Sequence, residues 1–246
     1  MIIALLADIH ANREALTACL AHAREQNVAR YVFLGDYVGY GADPGWAVDE
    51  VMAHVERGAL AVAGNHDVAI ASPRERMNDT AKEAIAWTRG QLDDRQKTFL
   101  RGLPLTAGDD KRLFVHADAS DPPTFYYVHD SAAALRSLRA TTCSQTFCGH
   151  VHVPALYHLR AGGAPGHLMP VADVEIPLLA RRQWLAVIGS VGQPRDHDPA
   201  ACYALLDDAR DILTYVRVPY DTATAARKVR DAGLPHILSV RLLRGY

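Results

Sequence analysis

Nowhere in this chain does an apolar run approach the ~20 residues that a membrane-spanning helix needs. Nor is there a block of like charge. Lys and Arg total 26 against 28 Asp and Glu, a formal net charge of −2. With no basic stretch, nucleic acid is not an expected partner. Cysteine is scarce, four in 246 residues, and no two form C-x-x-C. Cys19 and Cys202 lie in apolar surroundings, so the four read as reduced thiols of a cytoplasmic protein. The opening residues lead straight into an apolar strand, without the charged start and cleavage site of a secretion signal. Repeats, low-complexity stretches and evident linkers are missing too. The expectation is a single domain over residues 1–246, with an ordinary apolar content of 49% for its core.

What is abundant is histidine, twelve in all, and several fall at the same kind of place. Residues 2–7 read as a buried strand that ends in Asp8-x-His10. Asn12 is positioned to cap a helix with Leu16, Cys19, Leu20 and Ala23 on one face. "YVFLGD" is a second strand. Asp43 and Pro44 open a second helix with Val48, Val51, Met52 and Val55 as its stripe. "ALAVAGNHD" reads as a third strand, giving β-α-β-α-β with parallel pairing. A helix is expected from about Asp79 to Leu100, then a strand "RLFVHAD", a Pro-rich loop, and a short helix capped by Ser131. "QTFCGHVH" is the next strand. Beyond it "ALYHL", "QWLAVIGS", "CYALLD" and "ILTYVRV" are strands joined by turns, which favours antiparallel pairing. A helix from Asp221 to Ala232 and an apolar tail close the chain. The fold class is α/β with α+β character: two packed sheets with helices outside them.

Five strand-like runs end in polar clusters: Asp8-x-His10, Gly35-Asp36, Gly64-Asn65-His66-Asp67, His116, and Gly149-His150-x-His152. A single D-x-H is more often a helix cap and a packed histidine than a ligand pair. Five such clusters differ, because ligand sites in α/β sheets lie off the carboxyl ends of the strands. Leaving Asp67 aside, they offer two carboxylates, one amide and five imidazoles, and no thiolate. That chemistry suits Mn, Fe, Zn, Ni or Co, and disfavours calcium or a cysteine-type structural zinc. Eight groups are too many for one ion and suit two ions sharing a carboxylate. Such a pair, about 3.5–4 Å apart, stabilises both attacking and leaving oxygens of an in-line displacement and ionises a water near neutral pH.

These blocks, in this order, resemble those of the calcineurin-like metallophosphoesterase superfamily: D-x-H, G-D, G-N-H-[DE], H and G-H-x-H. "DIHAN", "GDYVGYG" and "GSVGQPRD" look most similar to its small bacterial and archaeal phosphodiesterase-like branch. The resemblance implies a four-layer αββα sandwich of two mixed sheets flanked by helices. It implies hydrolysis of a phosphodiester or phosphomonoester, a small-molecule substrate, by a water or hydroxide activated at two divalent transition-metal ions. Carried over by position, Asp8, His10, Asp36 and His152 would hold one ion, and Asp36, Asn65, His116 and His150 the other, with Asp36 bridging. His66 would protonate the leaving oxygen. Asp67 would either orient His66 or cap the following turn.

The chain also departs from the family. The protein phosphatases carry G-D-x-x-D-R-G, and here Gly39 and Tyr40 stand where their aspartate and arginine would be. That argues against phosphoprotein and dinucleoside tetraphosphate substrates. Ala117 replaces a usual glycine, with little consequence. Arg195 in "GSVGQPR" is the candidate to grip phosphate instead, the alternative being a solvated loop arginine. "GSVG" lacks serine-hydrolase spacing, and "GYGADPG" lacks dinucleotide spacing. Tyr126 and Tyr127 are expected in the core, the alternative being the mouth of the site, Trp46, Trp87 and Trp184 in packing, and the remaining histidines at structural or surface positions. Some superfamily members, such as the retromer scaffold subunit, serve as interaction platforms after losing ligands. Here all seven ligands and His66 are present, which favours an enzyme.

Overall fold

The structure is a computed structural model that describes residues 1–72 and 77–246. Twelve strands form two mixed sheets of six, with eight α-helices among the described residues. The first sheet holds β1 (Ile2–Leu6), β2 (Arg30–Phe33), β3 (Leu60–Ala61), β9 (Glu175–Pro177), β11 (Ala201–Asp207) and β12 (Ile212–Val218), in the order β3-β2-β1-β11-β12-β9. The second holds β4 (Thr106–Gly108), β5 (Arg112–Val115), β6 (Gln145–Cys148), β7 (Ala155–Arg160), β8 (Gly166–Leu168) and β10 (Arg182–Val187), in the order β4-β5-β6-β10-β7-β8. β1, β2 and β3 pair in parallel, as do β5, β6 and β10. The hairpin-linked β11 and β12 are antiparallel.

The layering follows from the two-residue period of a strand. In β1, Ile3 and Leu5 point inward and meet Phe114, Phe147, Trp184 and Ala186 of the other sheet. Ala4 and Leu6 point outward against α1 (Arg13–Glu25) and α2 (Pro44–Glu56), whose buried stripes include Leu16, Cys19, Leu20, Val48 and Val51. Both faces of β1 are covered, so it reads as one continuous apolar run. Across the molecule, α6 (Ser131–Arg139) packs Ala133, Ala134 and Leu138 on Val115, Tyr157, Leu185 and Val187. The four-layer sandwich expected from the sequence is therefore present.

Several local expectations are corrected. The third strand ends after Ala61, because α3 (Asn65–Ala71) starts at once. The long central helix is two, α4 (Asp79–Gln91) and α5 (Asp94–Gly102). They separate because Asp93 accepts from Gln96 N at 2.7 Å while Gln96 Oε1 accepts from Asp93 N at 3.1 Å, a reciprocal cap. Asp130, not Ser131, caps α6, accepting from Ala133 N at 2.8 Å. Asp43 occupies the cap position of α2 without making the bond, and its carboxylate pairs with Lys228 at 2.8 Å instead. The apolar tail beyond α7 (Thr222–Asp231) is a helix, α8 (His236–Arg244).

Candidate metal centre

Asp8 and His10 leave the end of β1, Asp36 follows β2, Asn65 and His66 open α3, His116 follows β5, and His150 and His152 follow β6. Backbone bonds join the strand ends. Asp8 N donates to Gly35 O at 3.0 Å, His10 N to Asp36 O at 2.9 Å, and Arg195 N to His152 O at 3.1 Å. Side chains add further ties. The Asp8 carboxylate accepts from His150 N at 2.9 Å, and Asp36 Oδ1 accepts from His66 N at 2.8 Å.

Three rings are aimed by backbone carbonyls. Nδ1 of His10, His116 and His152 lies 3.1, 2.7 and 2.6 Å from the carbonyls of Val38, Leu34 and Gln193. A carbonyl only accepts, so each Nδ1 carries a proton, and each ring in its neutral form presents a lone pair at Nε2. His10 and His152 bring their Nε2 atoms within 3.1 Å of each other. His152 Nε2 is 3.4 Å from Asp8 Oδ1, and His10 Nε2 is 3.7 Å from Asp36 Oδ2. The same Asp36 Oδ2 is 3.4 Å from His116 Nε2, which lies 3.2 Å from both Asn65 Oδ1 and His150 Nδ1. All seven expected ligands thus converge as two groups that meet at Asp36.

The fit to divalent cations rests on this donor set. Nitrogen lone pairs facing one another at hydrogen-bond distance are repulsive without something electropositive between them. Burial holds His10 and His152 well below the usual imidazole range and pushes His150 down to about 3, so all three are neutral donors. Burial, opposed by His116 and reinforced by Asp36, pushes the Asp8 carboxyl up to about 8. His116 goes the other way, to about 9, because the Asp36 charge and hydrogen bond overcome burial. Two buried carboxylates here draw in positive charge, which is the role a divalent ion fills. Among the described residues, groups with ligand atoms within 4.8 Å of one another are Asp8–His10–His152, Asp36–His116–His150, and His10–Asp36–His66. The last group shows that His66 reaches the same centre.

His66 is held by packing. Its Nδ1 is buried without a hydrogen-bond partner. Gly39 lies directly against that nitrogen, so a Cβ there would strike it, and its φ of +83° suits glycine. A family-type aspartate has no room at this position. The Tyr40 ring instead sits edge-on to His66 with centroids 4.5 Å apart, and 4.6 Å from the His10 ring. Burial is the main cause that lowers the His66 pKa to about 4.

Asp67 leaves His66 Nδ1 without a partner and instead caps the turn that opens α3. It accepts from Gly64 N and Asp36 N at 2.8 Å through Oδ2, and from Tyr37 N at 2.9 Å through Oδ1. It ties one site loop to another. Arg195 does line the cavity above the centre, with its guanidinium 5.8 Å from the Tyr40 ring centroid and donating to Gln193 Oε1 at 2.9 Å. Tyr126 and Tyr127 are not core. They are 45% and 50% exposed, and Tyr127 stacks on His150 at 4.1 Å. Trp184 is buried as expected, and His22 has a structural partner in the Tyr203 hydroxyl at 2.6 Å. Sequence reasoning missed the clamp formed by Asn12 and Ser190. Asn12 Nδ2 donates to Gly192 O and Ser190 Oγ to Asp8 O, both at 2.8 Å.

A family model for the calcineurin-like phosphoesterase superfamily domain matches residues 1–211. Protein MJ0912 of Methanocaldococcus jannaschii is 31% identical over 253 residues, spanning 99% of this chain and 98% of that protein. A metallophosphoesterase from Sphaerobacter thermophilus superimposes with a TM-score of 0.87 at 32% identity, over 100% of this chain and 99% of its own. The hypothetical protein PH1004 from Pyrococcus horikoshii follows the same fold with a TM-score of 0.79 at 19% identity, covering 100% and 98% of the two chains. The chain belongs to the calcineurin-like phosphoesterase superfamily, whose members typically use divalent metals. No helix among the described residues is long and apolar enough to cross a membrane.

Proposed function

We propose that this chain hydrolyses a small-molecule phosphodiester or phosphomonoester with two divalent transition-metal ions. The observation that carries the reading is the meeting of two donor groups at Asp36 Oδ2, 3.7 Å from His10 Nε2 and 3.4 Å from His116 Nε2. Asp8, His10, Asp36 and His152 would hold one ion, and Asp36, Asn65, His116 and His150 the other. When bound, ions of the Mn, Fe, Zn, Ni or Co type supply a water that ionises near neutral pH and positive charge for the phosphoryl oxygens.

The chain's own groups supply the rest. Arg195 pairs with a non-reacting phosphate oxygen, replacing the arginine that Tyr40 displaces. His66 gives a proton to the leaving oxygen from the ring nitrogen not turned toward Gly39. The phosphate anion beside it favours the charged imidazolium against burial. Tyr40 holds the ring where no acceptor does. We read residues 1–246 as one cytoplasmic domain, supported by the shared inter-sheet core and four unpaired cysteines.

Turnover of a generic aryl phosphodiester by Mn²⁺-loaded protein tests the reading, with His66→Ala as its internal control. That variant should lose roughly 10²- to 10⁴-fold on a poor alkoxide leaving group, lose less on nitrophenolate, and keep its metal. An inert Mn²⁺-loaded parent would identify a scaffold. Loss of metal from His66→Ala would make His66 a ligand, as the His10–Asp36–His66 group allows.

A further inference from the structure

The cavity over the centre has a volume of about 490 Å³, within the roughly 300–1,000 Å³ of small-molecule sites. Only part of it is used by the chemistry above. Arg195 and Tyr40 mark the end nearest His10 and His66. At the His150 end the lining changes character: Tyr127 stacks on His150, next in the chain to Thr124, Phe125 and Tyr126, while Met77 and Asn78 at the start of α4 line the same cavity.

This aromatic lining is built rather than incidental. Phe125 adopts a left-handed φ of +52° and packs edge-on to His116, centroids 5.7 Å apart. The loop is tied back by Asp118 N donating to Tyr126 O at 3.2 Å, and the Arg136 guanidinium lies 5.8 Å from the Tyr126 ring centroid. The result is that Tyr127 lies flat on His150, at 17° and 4.1 Å, with half of its surface still open. Two adjacent tyrosines fixed in place and left open expose apolar surface for no folding gain, which marks a contact for something else. Asn78 adds a polar group at the rim. Its amide oxygen caps α4 by accepting from Ala81 N at 2.9 Å, which leaves the NH₂ as a donor.

We propose that Tyr127, with Tyr126 beside it, is a stacking subsite for a planar heteroaromatic group, so that the substrate is a phosphate ester of nucleotide chemistry. The phosphate sits over the metal centre, and the base lies on the open face of Tyr127. Tyrosine suits this because its π-face accepts any base without sequence-type readout. The inference rests on the phosphoesterase reading for the placement of the phosphate.

Equilibrium binding separates the two. Adenosine monophosphate, ribose 5-phosphate and inorganic phosphate are titrated into Mn²⁺-loaded parent, Tyr127→Phe and Tyr127→Leu protein by calorimetry, with metal content measured in each. Stacking on one ring corresponds to a preference of roughly 5- to 100-fold for adenosine monophosphate over ribose 5-phosphate. Tyr127→Phe should keep that preference and Tyr127→Leu should erase it, with inorganic phosphate bound within about twofold of the parent in both. Equal affinities of the parent for the two organic phosphates would overturn the subsite. So would a Tyr127→Leu protein that loses inorganic phosphate and metal together with the nucleotide, since Tyr127 would then be a prop for His150. If generic esters are turned over without a base preference, the phosphoesterase reading stands and the subsite fails. If the preference depends on Tyr127 but no ester is turned over, the subsite stands and the hydrolase reading fails.

Discussion

Removing the Asp67 carboxylate should weaken the scaffold under the site more than any change at its rim. The side chain is fully buried and accepts three backbone N–H bonds from Gly64, Asp36 and Tyr37. Burial raises the Asp67 pKa to about 7, so it is fully charged only above that pH; there a hydrogen bond to a charged group contributes about 1.5–3 kcal/mol, and three set an upper limit of roughly 9 kcal/mol for Asp67→Ala. Two effects reduce this. Removal relieves one buried charge near Asp36, and water entering the vacated space satisfies part of the stranded N–H groups. An expected loss of ~3–5 kcal/mol remains, a large share of the ~5–15 kcal/mol typical of a folded domain. Asp67→Asn should lose less, ~2 kcal/mol, because its single oxygen can serve Asp36 and Gly64 while its NH₂ faces the Tyr37 N–H, donor against donor. Urea unfolding of metal-free protein is the assay, since bound metal would add stability of its own. A loss under 1 kcal/mol for Asp67→Ala would refute the idea that this carboxylate ties the two loops together. Unchanged stability with impaired protonation of the leaving group would return Asp67 to His66.

Other outcomes follow from the same geometry. Asp36→Asn should weaken both metal sites together, because one oxygen is shared; elemental analysis showing loss from one site alone would refute the bridge. Arg195→Ala should lower kcat/KM by about 10-fold or more with metal content unchanged, and unchanged kinetics on every substrate would remove it from the site. Gly39→Ala places a Cβ on His66 Nδ1 and strains a φ of +83°; it should lower kcat while metal stays bound, and parental kinetics would show that the ring position is not critical. Stripping the metal with a chelator should lower the unfolding midpoint, by an amount that grows with the free metal used for loading, ~2.7 kcal/mol at a hundredfold excess over Kd.

The convergence of the polar clusters was legible because each stands within a few residues of a strand end and is of an unambiguous type. What aims them was not. The carbonyls of Val38, Leu34 and Gln193 orient three rings, and a backbone carbonyl has no side-chain signature. Asp67 was visible as a residue but not as a tie, since its partners Asp36 and Tyr37 lie about thirty positions away. The sequence left Tyr127 between core and site mouth because its seat on His150 depends on the left-handed turn at Phe125, in a loop whose prolines suggest only irregularity. The three-residue strands β4, β8 and β9 owe their existence to neighbours at the sheet edges rather than to their own patterns. α8 lacks a side-chain cap at its start, closes at the left-handed Gly245, and packs Leu238 and Leu242 against Ala226 and Val229.

The backbone of the site explains why such distant ties matter. Asp8, His10, Asp36, His150 and His152 all have positive φ, between +46° and +69°, and so do Ala11 and Tyr40. Left-handed backbone is costly for residues with a Cβ, about 1 kcal/mol or more each, although Asp and His bear it better than most. The geometry leaves little choice. An extended strand sends successive side chains to opposite sides, whereas here neighbouring loops must turn carboxylates and imidazoles onto one centre while their N–H groups still reach Gly35 O and Asp36 O. Turning the chain over at the last residue does both. The strained loops are held by groups that never meet substrate: Asp67 under the second block, Asn12 and Ser190 under the first, and the Arg195 N–H on the His152 carbonyl. Substitutions at those clamps should therefore register first as altered metal affinity, because the donors would still be present but no longer share a centre.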